Sequence, residues 1–238
     1  MGEKSTFPMR INKYLAHKKY CTRREADVWI EAGKVRINGR KARLGDKVAK
    51  SDTVDVHFRA KAQRYFAYNK PRGIITHSPA EHERDIRQST PLVGVFPVGR
   101  LDKDSHGLII LTDDGRITDM LLNPDSEHEK EYIVTVKEPL ASNFKQRMEK
   151  GVHIEGAGPA GYTTKPCHIR VLGTKKFSIT LTEGKKHQIR RMCAALGYVT
   201  ADLERTRIMN VTLAGLKPGE HRALKGSELE KFLKLLGF

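Results

Sequence analysis

The chain has 238 residues and a formal charge of +16 at pH 7, because 44 lysines and arginines outnumber 28 aspartates and glutamates. The excess is typical of a protein that binds a polyanion, and it is uneven, since residues 1–64 carry a net +10. We find no signal-peptide pattern and no apolar run of about 18 residues, which excludes a membrane span and predicts a cytoplasmic protein. Cys21, Cys167 and Cys193 are too far apart for a Cys-x-x-Cys site, and we expect them to be packing residues.

Residues 10–56 predict a small module of two helices and a hairpin. Apolar residues at helical spacing indicate a basic amphipathic helix over 10–20. A second helix should begin after Thr22, which forms a capping box with Glu25, and should end at Gly33. Residues 35–42 alternate and turn at Asn38-Gly39, which predicts a hairpin, and residues 54–56 predict a closing strand. We expect Trp29 in the core of this module.

The motifs of this module occur in the order found in the S4 RNA-binding domain. They are Arg-Ile-Asn-Lys-Tyr-Leu, Thr-Arg-Arg-Glu-Ala and Val-Arg-Ile-Asn-Gly. The segment therefore resembles an S4 domain, and this resemblance implies that it binds structured RNA through clustered arginines and helix amino ends. The alternative is a solvated basic face without a ligand. The residues expected to contact RNA are Arg10, Asn12, Lys13, Arg23, Arg24, Lys34, Asn38 and Arg40.

Residues 57–64 are polar and without periodicity, which indicates a linker, and residues 65–238 form a larger predicted domain. Strands are predicted at 65–70, 108–111, 132–136, 168–172, 177–181 and 211–213. Helices are predicted at 139–150, 187–196 and 227–236, the last with a capping box of Ser227 and Glu230. Because strands and helices do not alternate strictly, we predict a mixed α+β domain with a largely antiparallel sheet.

Several motifs resemble cofactor or metal sites but lack the flanking residues or elements that such sites need. The G-x-G-x-x-G segment at 156–161 is not followed by a helix. His82-Glu83 and His128-Glu129 lack the second histidine that a zinc protease needs. The segment that begins at Asp102 mimics a calcium loop, but a histidine replaces one ligand and an aspartate stands at the twelfth position. We therefore expect neither a metal nor a small-molecule cofactor.

One acid beside an arginine is the strongest candidate for chemistry. In Gly99-Arg100-Leu101-Asp102, an extended backbone would point Arg100 and Asp102 to the same face, where they could form a charge-assisted pair. Such a pair keeps the carboxylate ionised, as a nucleophile or a general base requires. The alternative is a surface ion pair in a turn, which contributes little.

Four further motifs follow the S4-like module in a fixed order. They are KPRG from Lys70, GRLD from Gly99, KEY from Lys130 and GKKHQIRR from Gly184. With them the whole chain resembles the RsuA, RluB, RluE and RluF family of ribosomal RNA pseudouridine synthases. The stretches HEKEY at 128–132 and LERTRIMNV at 203–211 most resemble its RluF branch.

The resemblance implies a pseudouridine synthase fold for residues 65–238 and isomerisation of a specific uridine in RNA. Within the RluF branch, the expected substrate is large-subunit (23S) ribosomal RNA, with a transfer RNA as a further possible substrate. No cofactor, membrane or small-molecule partner is implied, and we expect a monomer.

The family motifs also assign roles to single residues. Asp102 is implied to attack the ribose of a flipped-out uridine or to remove a proton from it, two mechanisms that the sequence leaves open. Tyr132 is implied to stack on the base, and Arg190 to pair with Asp102 from the side opposite Arg100. Lys70 and Arg72 are expected to steady the loop or the RNA rather than to react, and for Lys70 we expect no lowered pKa. The further expected RNA contacts are Lys70, Arg72, Lys130, His187, Gln188 and Arg191.

Two other functions remain open on sequence grounds. A non-catalytic, S4-type ribosome or RNA-binding factor would leave uridine intact and would not need Asp102. A metal-dependent nuclease would need clustered carboxylates such as Asp113 and Asp114, although Thr-Asp-Asp-Gly is typical of a turn.

Overall fold

The computed structural model describes residues 6–57, 62–77, 83–155 and 161–238. It divides into two compact units, Met1–Gln63 with Asp114–Arg116, and Arg64–Asp113 with Ile117–Phe238. Residues 58–61 of the predicted linker, His82, and residues 156–160 of the G-x-G-x-x-G segment lie outside the described residues. Within the described ranges, no helix is long and apolar enough to cross a membrane.

The first unit is a small α/β module with its own core. Strands β3, β2 and β5 form an antiparallel sheet in that order, and β1 pairs with β4. Leu15, Ala26 and Ile30 are buried between the two helices and the sheet, and Trp29 packs against this cluster as predicted. The elements are β1 (Met9–Arg10), α1 (Ile11–His17), α2 (Arg23–Glu31), β2 (Val35–Ile37), β3 (Arg40–Lys41), β4 (Lys47–Val48) and β5 (Val54–Val56).

Two local signals of this module are confirmed. The Thr22 hydroxyl accepts a hydrogen bond from the Glu25 N–H at 3.2 Å, and the Glu25 carboxylate accepts one from the Thr22 N–H at 2.7 Å. This capping box begins α2 at the predicted position. Asn38 and Gly39 have φ angles of 50° and 79°, which is the left-handed conformation that a two-residue hairpin turn requires.

The second unit has the predicted α+β class. Its strands are β6 (Tyr65–Lys70), β7 (Phe96–Val98), β8 (His106–Thr112), β9 (Lys130–Val136), β10 (His153–Ile154), β11 (Tyr162–Thr163), β12 (His168–Gly173), β13 (Lys176–Leu181), β14 (Thr200–Ile208), β15 (Val211–Thr212) and β16 (His221–Ala223). The helices along this part of the chain are α3 (Ile86–Ser89), α4 (Arg116–Leu122), α5 (Phe144–Glu149), α6 (Gln188–Ala195) and α7 (Gly226–Leu235).

One large sheet organises the second unit. Its order is β12-β13-β9-β14-β8-β6-β16, with β15 beside β14 and β7 beside β8. The pairing is antiparallel except between β14 and β8, which confirms the largely antiparallel sheet. Leu108 and Ile110 of β8 face one apolar core, and Ile109 and Leu111 face another. Because successive strand residues point to opposite faces, this uninterrupted apolar run identifies a strand that is covered on both faces.

The structure corrects two predictions about elements of this unit and adds a long strand that was not predicted. α5 begins at Phe144 rather than at residue 139, and the N–H of Ala141 donates to the Tyr198 hydroxyl at 3.0 Å in the preceding loop. α7 begins at Gly226, so Ser227 lies inside the helix, and no side chain caps it. β14 was not predicted because its sequence is rich in charged residues, among them Arg207, whose partner Glu131 lies on β9.

Candidate active site

A cavity of about 660 Å³ lies within the second unit, beside β9 and β14. The loop 98–103, the segment 181–189 and the end of α4 complete its lining. This volume lies in the range of small-molecule sites and can hold a nucleoside.

Asp102 lies on a loop wall of this cavity. The preceding residue, Leu101, is fixed at both backbone groups by Thr76, whose hydroxyl accepts from the Leu101 N–H at 3.1 Å and donates to its carbonyl at 2.8 Å. The Ser105 N–H donates to the Asp102 carbonyl at 3.1 Å. The Asp102 side chain is 32% exposed, so a carboxylate on a braced backbone faces the cavity.

His187, rather than an arginine, is the side chain that contacts the Asp102 carboxylate. Its Nδ1 lies 3.0 Å from an Asp102 carboxylate oxygen. His187 has a φ of 53° and immediately precedes α6, so the turn into this helix aims the imidazole at the carboxylate. The prediction that Arg100 and Arg190 pair with Asp102 is therefore wrong, since within the described ranges neither forms an ion pair with it.

The two arginines have other positions. Arg100 is exposed and lines the cavity. It does not form the predicted pair with Asp102, because residues 99–105 form a loop in which the two-residue alternation of a strand does not apply. Arg190 donates from Nη2 to the carbonyl of Asp104 at 3.0 Å and to the Ser105 hydroxyl at 3.3 Å. Arg190 thus ties α6 to the loop that carries Asp102 without contacting the carboxylate.

Tyr132 and Lys130 enter the cavity from β9, with Tyr132 also packed against an apolar core. In the sheet register, Tyr132 pairs with Arg205 of β14, which lines the same cavity. The sequence motif therefore located Tyr132 and Lys130 near Asp102, whereas Arg205 was missed because it lies on the unpredicted strand.

Gln188 is a structural residue of the cavity wall. Its side chain donates to Glu183 at 2.7 Å and accepts from the Lys185 N–H at 2.9 Å. Glu183 also accepts from the Tyr162 hydroxyl at 2.6 Å and from the Lys165 N–H at 2.9 Å. Gln188 is only 4% exposed and both ends of its amide are used within the protein, and its RNA contact stays a prediction.

Lys70 braces the loop that follows β6, and its RNA contact stays a prediction. It is fully buried at the end of β6 and donates to the carbonyls of Pro71 at 2.9 Å and Ile74 at 2.6 Å. Burial lowers the pKa of Lys70 to about 8, contrary to our expectation, because removal of water disfavours the charged ammonium. Arg72 next to it is exposed and pairs with Asp202, which also lies 2.8 Å from His106.

Two family models match the chain. One, described as RNA pseudouridylate synthase, matches residues 64–195, and the other, the S4 domain, matches residues 9–54. The chain belongs to the RNA pseudouridylate synthase family. Its S4-like module and its enzyme class are thereby confirmed.

Known pseudouridine synthases are similar to this protein along almost its whole length. The dual-specificity RNA pseudouridine synthase RluF of Salmonella typhi is 43% identical over 234 residues, which cover 95% of this chain and 79% of the relative. The ribosomal large subunit pseudouridine synthase B of Bacillus subtilis is 32% identical, over 95% of this chain and 96% of the relative. A crystal structure of a pseudouridylate synthase has a TM-score of 0.70 and 31% identity, over 94% of this chain and 99% of its own.

In this synthase, several of the residues expected to bind RNA in the S4 domain are engaged within the domain. Asn12 donates to Asp27 at 2.8 Å, Asn38 donates to Asp52 at 2.8 Å, and Arg40 pairs with Asp46 at 2.9 Å. The others are Arg10, Arg23, Arg24 and Lys34, which are exposed, and Lys13, which is partly buried. Their RNA contacts, like that of the partly buried Arg191, stay predictions.

Asp113 and Asp114, the acids that a metal-dependent nuclease would need, do not line the cavity. Asp113 pairs with Arg64 at 2.9 Å, and the buried Asp114 pairs with Arg116 at 2.7 Å. Across the described residues, no group of three histidines, cysteines or acids is arranged to hold a metal ion.

Proposed function

We propose that this pseudouridine synthase isomerises a specific uridine of large-subunit ribosomal RNA, with Asp102 as the carboxylate that reacts with the ribose. One observation carries the assignment of Asp102. Two acids line the cavity within the described residues, and the carboxylate of Glu183 is already bound by Gln188, Tyr162 and the Lys165 N–H. Asp102 is partly exposed to the cavity and has one imidazole partner.

The reaction moves the base from a nitrogen bond to a carbon bond on the same ribose. Asp102 either attacks C1′ or removes the proton from C2′, and in both cases the bond between C1′ and N1 breaks. The base turns and C5 bonds to C1′, while either the bond between C1′ and Asp102 breaks or Asp102 returns the proton to C2′. The C5 proton then leaves and N1 gains a proton. The product is an isomer of the substrate, so nothing is oxidised, reduced or consumed.

The cavity supports extrusion of the target nucleotide from its helix. The ribose of a stacked and paired uridine is shielded by its neighbours, whereas an extruded nucleotide can enter the cavity and reach Asp102. Tyr132 then offers an aromatic face for the pyrimidine. The basic S4 domain binds the surrounding RNA, and most of that affinity comes from phosphate contacts.

The names of two relatives support the substrate. One is called dual-specificity RNA pseudouridine synthase RluF, and the other acts by name on the large ribosomal subunit. We therefore propose large-subunit ribosomal RNA as the main substrate and a transfer RNA as a second. Action as a monomer in the cytoplasm stays a prediction.

The experiment is incubation of the full chain with deproteinised ribosomal RNA, followed by chemical labelling of pseudouridine and primer extension. The wild type should modify one uridine, and a parallel reaction with transfer RNA tests the second substrate. Asp102→Asn should form no pseudouridine but should bind RNA like the wild type, because it removes a charge and conserves the shape. Its free energy of unfolding should change by less than about 1 kcal/mol, since the contact between Asp102 and His187 is partly exposed.

Pseudouridine formation by Asp102→Asn at the wild-type rate would show that another group reacts. A wild type that binds ribosomal RNA and leaves every uridine unchanged would contradict the proposed substrate.

A further inference from the structure

Three buried or partly buried cations lie near the strand wall of the cavity without a carboxylate in contact. Lys70 is fully buried, Arg205 is 4% exposed, and Lys130 is partly buried. All three donate to backbone carbonyls, Lys130 to His128 at 3.0 Å and Arg205 to Leu108 at 2.7 Å. In the part of the chain that the structure describes, none of them forms an ion pair within 4.0 Å. The charges of Asp102 and Asp104 partly offset the effect of burial on the pKa of Lys70. For Lys130 and Arg205, burial of a charge that no carboxylate contacts is unfavourable, so their arrangement needs a functional reason.

Arg205 has a hydrogen-bond donor that nothing uses. Its Nη2 is buried without a partner, although the Nε of the same guanidinium binds the Leu108 carbonyl. An unsatisfied buried donor lowers stability by about 1–3 kcal/mol, and native proteins retain few of them. Arg205 and Lys130 both line the cavity, and Arg205 pairs with Tyr132 in the sheet register. The unused donor thus belongs to the wall from which Tyr132 projects.

The electrostatics of the two residues are coupled. Burial and the nearby Arg205 charge lower the pKa of Lys130 to about 8, so the ammonium is still mostly charged at pH 7. A positive charge in such a poorly solvated site interacts with an anion much more strongly than it would in water. The wall is therefore suited to an anionic oxygen that is absent from the free protein.

We propose that Lys130 and Arg205 stabilise the negative charge that develops on the pyrimidine when its bond to the ribose breaks. When the bond between C1′ and N1 breaks, its electron pair passes to the base and spreads onto O2 and O4. The Lys130 ammonium and the Arg205 guanidinium donate hydrogen bonds to one of these oxygens. C1′ is meanwhile either bonded to an Asp102 oxygen or joined to C2′ by a double bond. The electron pair is used again when C5 attacks C1′, as the bond to Asp102 breaks or as Asp102 returns the proton to C2′.

A backbone phosphate is the other anion that these cations could bind. The phosphates of an extruded nucleotide would stay at the cavity mouth, where the exposed Arg100 and Lys186 can bind them, whereas Lys103 pairs with Glu83 at 2.8 Å. Lys130 and Arg205 instead project from the central strands beside Tyr132, where the base is expected to lie. The inference rests on the proposed function, because it needs a uridine in this cavity.

The test compares Lys130→Met, Lys130→Arg and Arg205→Lys with wild type and with Lys137→Met. Lys137 is exposed just beyond the end of β9 and does not line the cavity, so it is the matched control. Single-turnover rates are measured on an RNA fragment that contains the mapped uridine and on the same fragment with 5-fluorouridine at that position. Fluorine withdraws electrons and stabilises the departing base anion, so bond cleavage needs less help from the protein. Loss of the original nucleoside is the readout for both RNAs.

On uridine, Lys130→Met should lower the maximal rate by about 100-fold without weakening RNA binding, as when one donor to a developing anion is removed. On 5-fluorouridine, its defect should be less than about tenfold. Lys130→Arg should keep most of the rate because it retains the charge, and Lys137→Met should react like the wild type. Arg205→Lys should show the same substrate dependence as Lys130→Met, with folding checked by thermal unfolding.

Equal defects of Lys130→Met on the two RNAs would overturn the proposal, because the charge would not act on the departing base. A defect only in RNA affinity would assign the two cations to phosphate binding. A Lys130→Arg variant as slow as Lys130→Met would show that the rate does not depend on the positive charge at this position. These results differ from failure of the proposed function, in which the wild type itself forms no pseudouridine.

Discussion

Gly107 is the position at which a single added methyl group should disturb both the fold and the cavity wall. It lies in β8 with a φ of 105°, where β14 runs parallel to it and pairs Arg205 with Gly107. A Cβ at this position would lie 2.3 Å from the Arg205 carbonyl oxygen and 2.7 Å from the Arg205 nitrogen. Both atoms belong to the backbone of a central strand and cannot move aside without breaking sheet hydrogen bonds.

The expected effect of Gly107→Ala has two parts. A non-glycine residue in a sparsely populated conformation lowers stability by about 1–3 kcal/mol. Overpacking against a fixed neighbour adds about 1–3 kcal/mol. Together they predict a loss of about 2–6 kcal/mol, which lowers the melting temperature of a chain of this size by more than about 4 °C.

The assay is urea and thermal unfolding, with Gly173→Ala as the matched control. Gly173 ends β12, and a Cβ there meets no heavy atom within 4 Å. The control should therefore stay within about 0.5 kcal/mol of the wild type. Gly107→Ala should also form pseudouridine more slowly at temperatures where it is folded, because a displaced β14 moves Arg205. If the two variants unfold alike, the close contact between β8 and β14 is not rigid and the reasoning is wrong.

Three further predictions concern the site and the S4 domain. His187→Asn should lower the maximal rate by about 10- to 100-fold in single-turnover assays while RNA affinity stays unchanged, because the imidazole 3.0 Å away orients Asp102. Burial lowers the pKa of Lys70 from 10.5 to about 8, so its destabilising effect is complete below pH 8 and disappears as the pH rises through 10.5. Between these pH values, urea unfolding should show the wild type gaining stability relative to Lys70→Met, and parallel pH curves would contradict the assigned burial. The affinity for RNA falls as salt rises, and replacing Arg23 and Arg24 with alanine should make the slope of log affinity against log salt less negative by about 2. An unchanged slope would exclude their phosphate contacts.

Local sequence signals predicted the elements that depend on neighbouring residues. The Thr22–Glu25 capping box, the Asn38-Gly39 turn and the apolar run of β8 all formed as expected. Such signals work because a cap, a tight turn or a doubly covered strand is stabilised by residues close in the chain. β14 was not predicted because it lacks a local apolar pattern. Its charged residues pair with residues remote in the chain, as Arg207 does with Glu131 at 3.0 Å.

The sequence by itself determined the class of the fold, the RNA-binding module, and the motifs that bring Asp102, Lys130 and Tyr132 into one domain. Only the tertiary structure decided that His187 rather than an arginine pairs with Asp102, because the path of a loop sets which side chain reaches a carboxylate. It alone also showed the burial of Lys70 and the unused donor of Arg205. Removal of water from a charged group depends on strands that are remote in the chain, and no local pattern of residues records it.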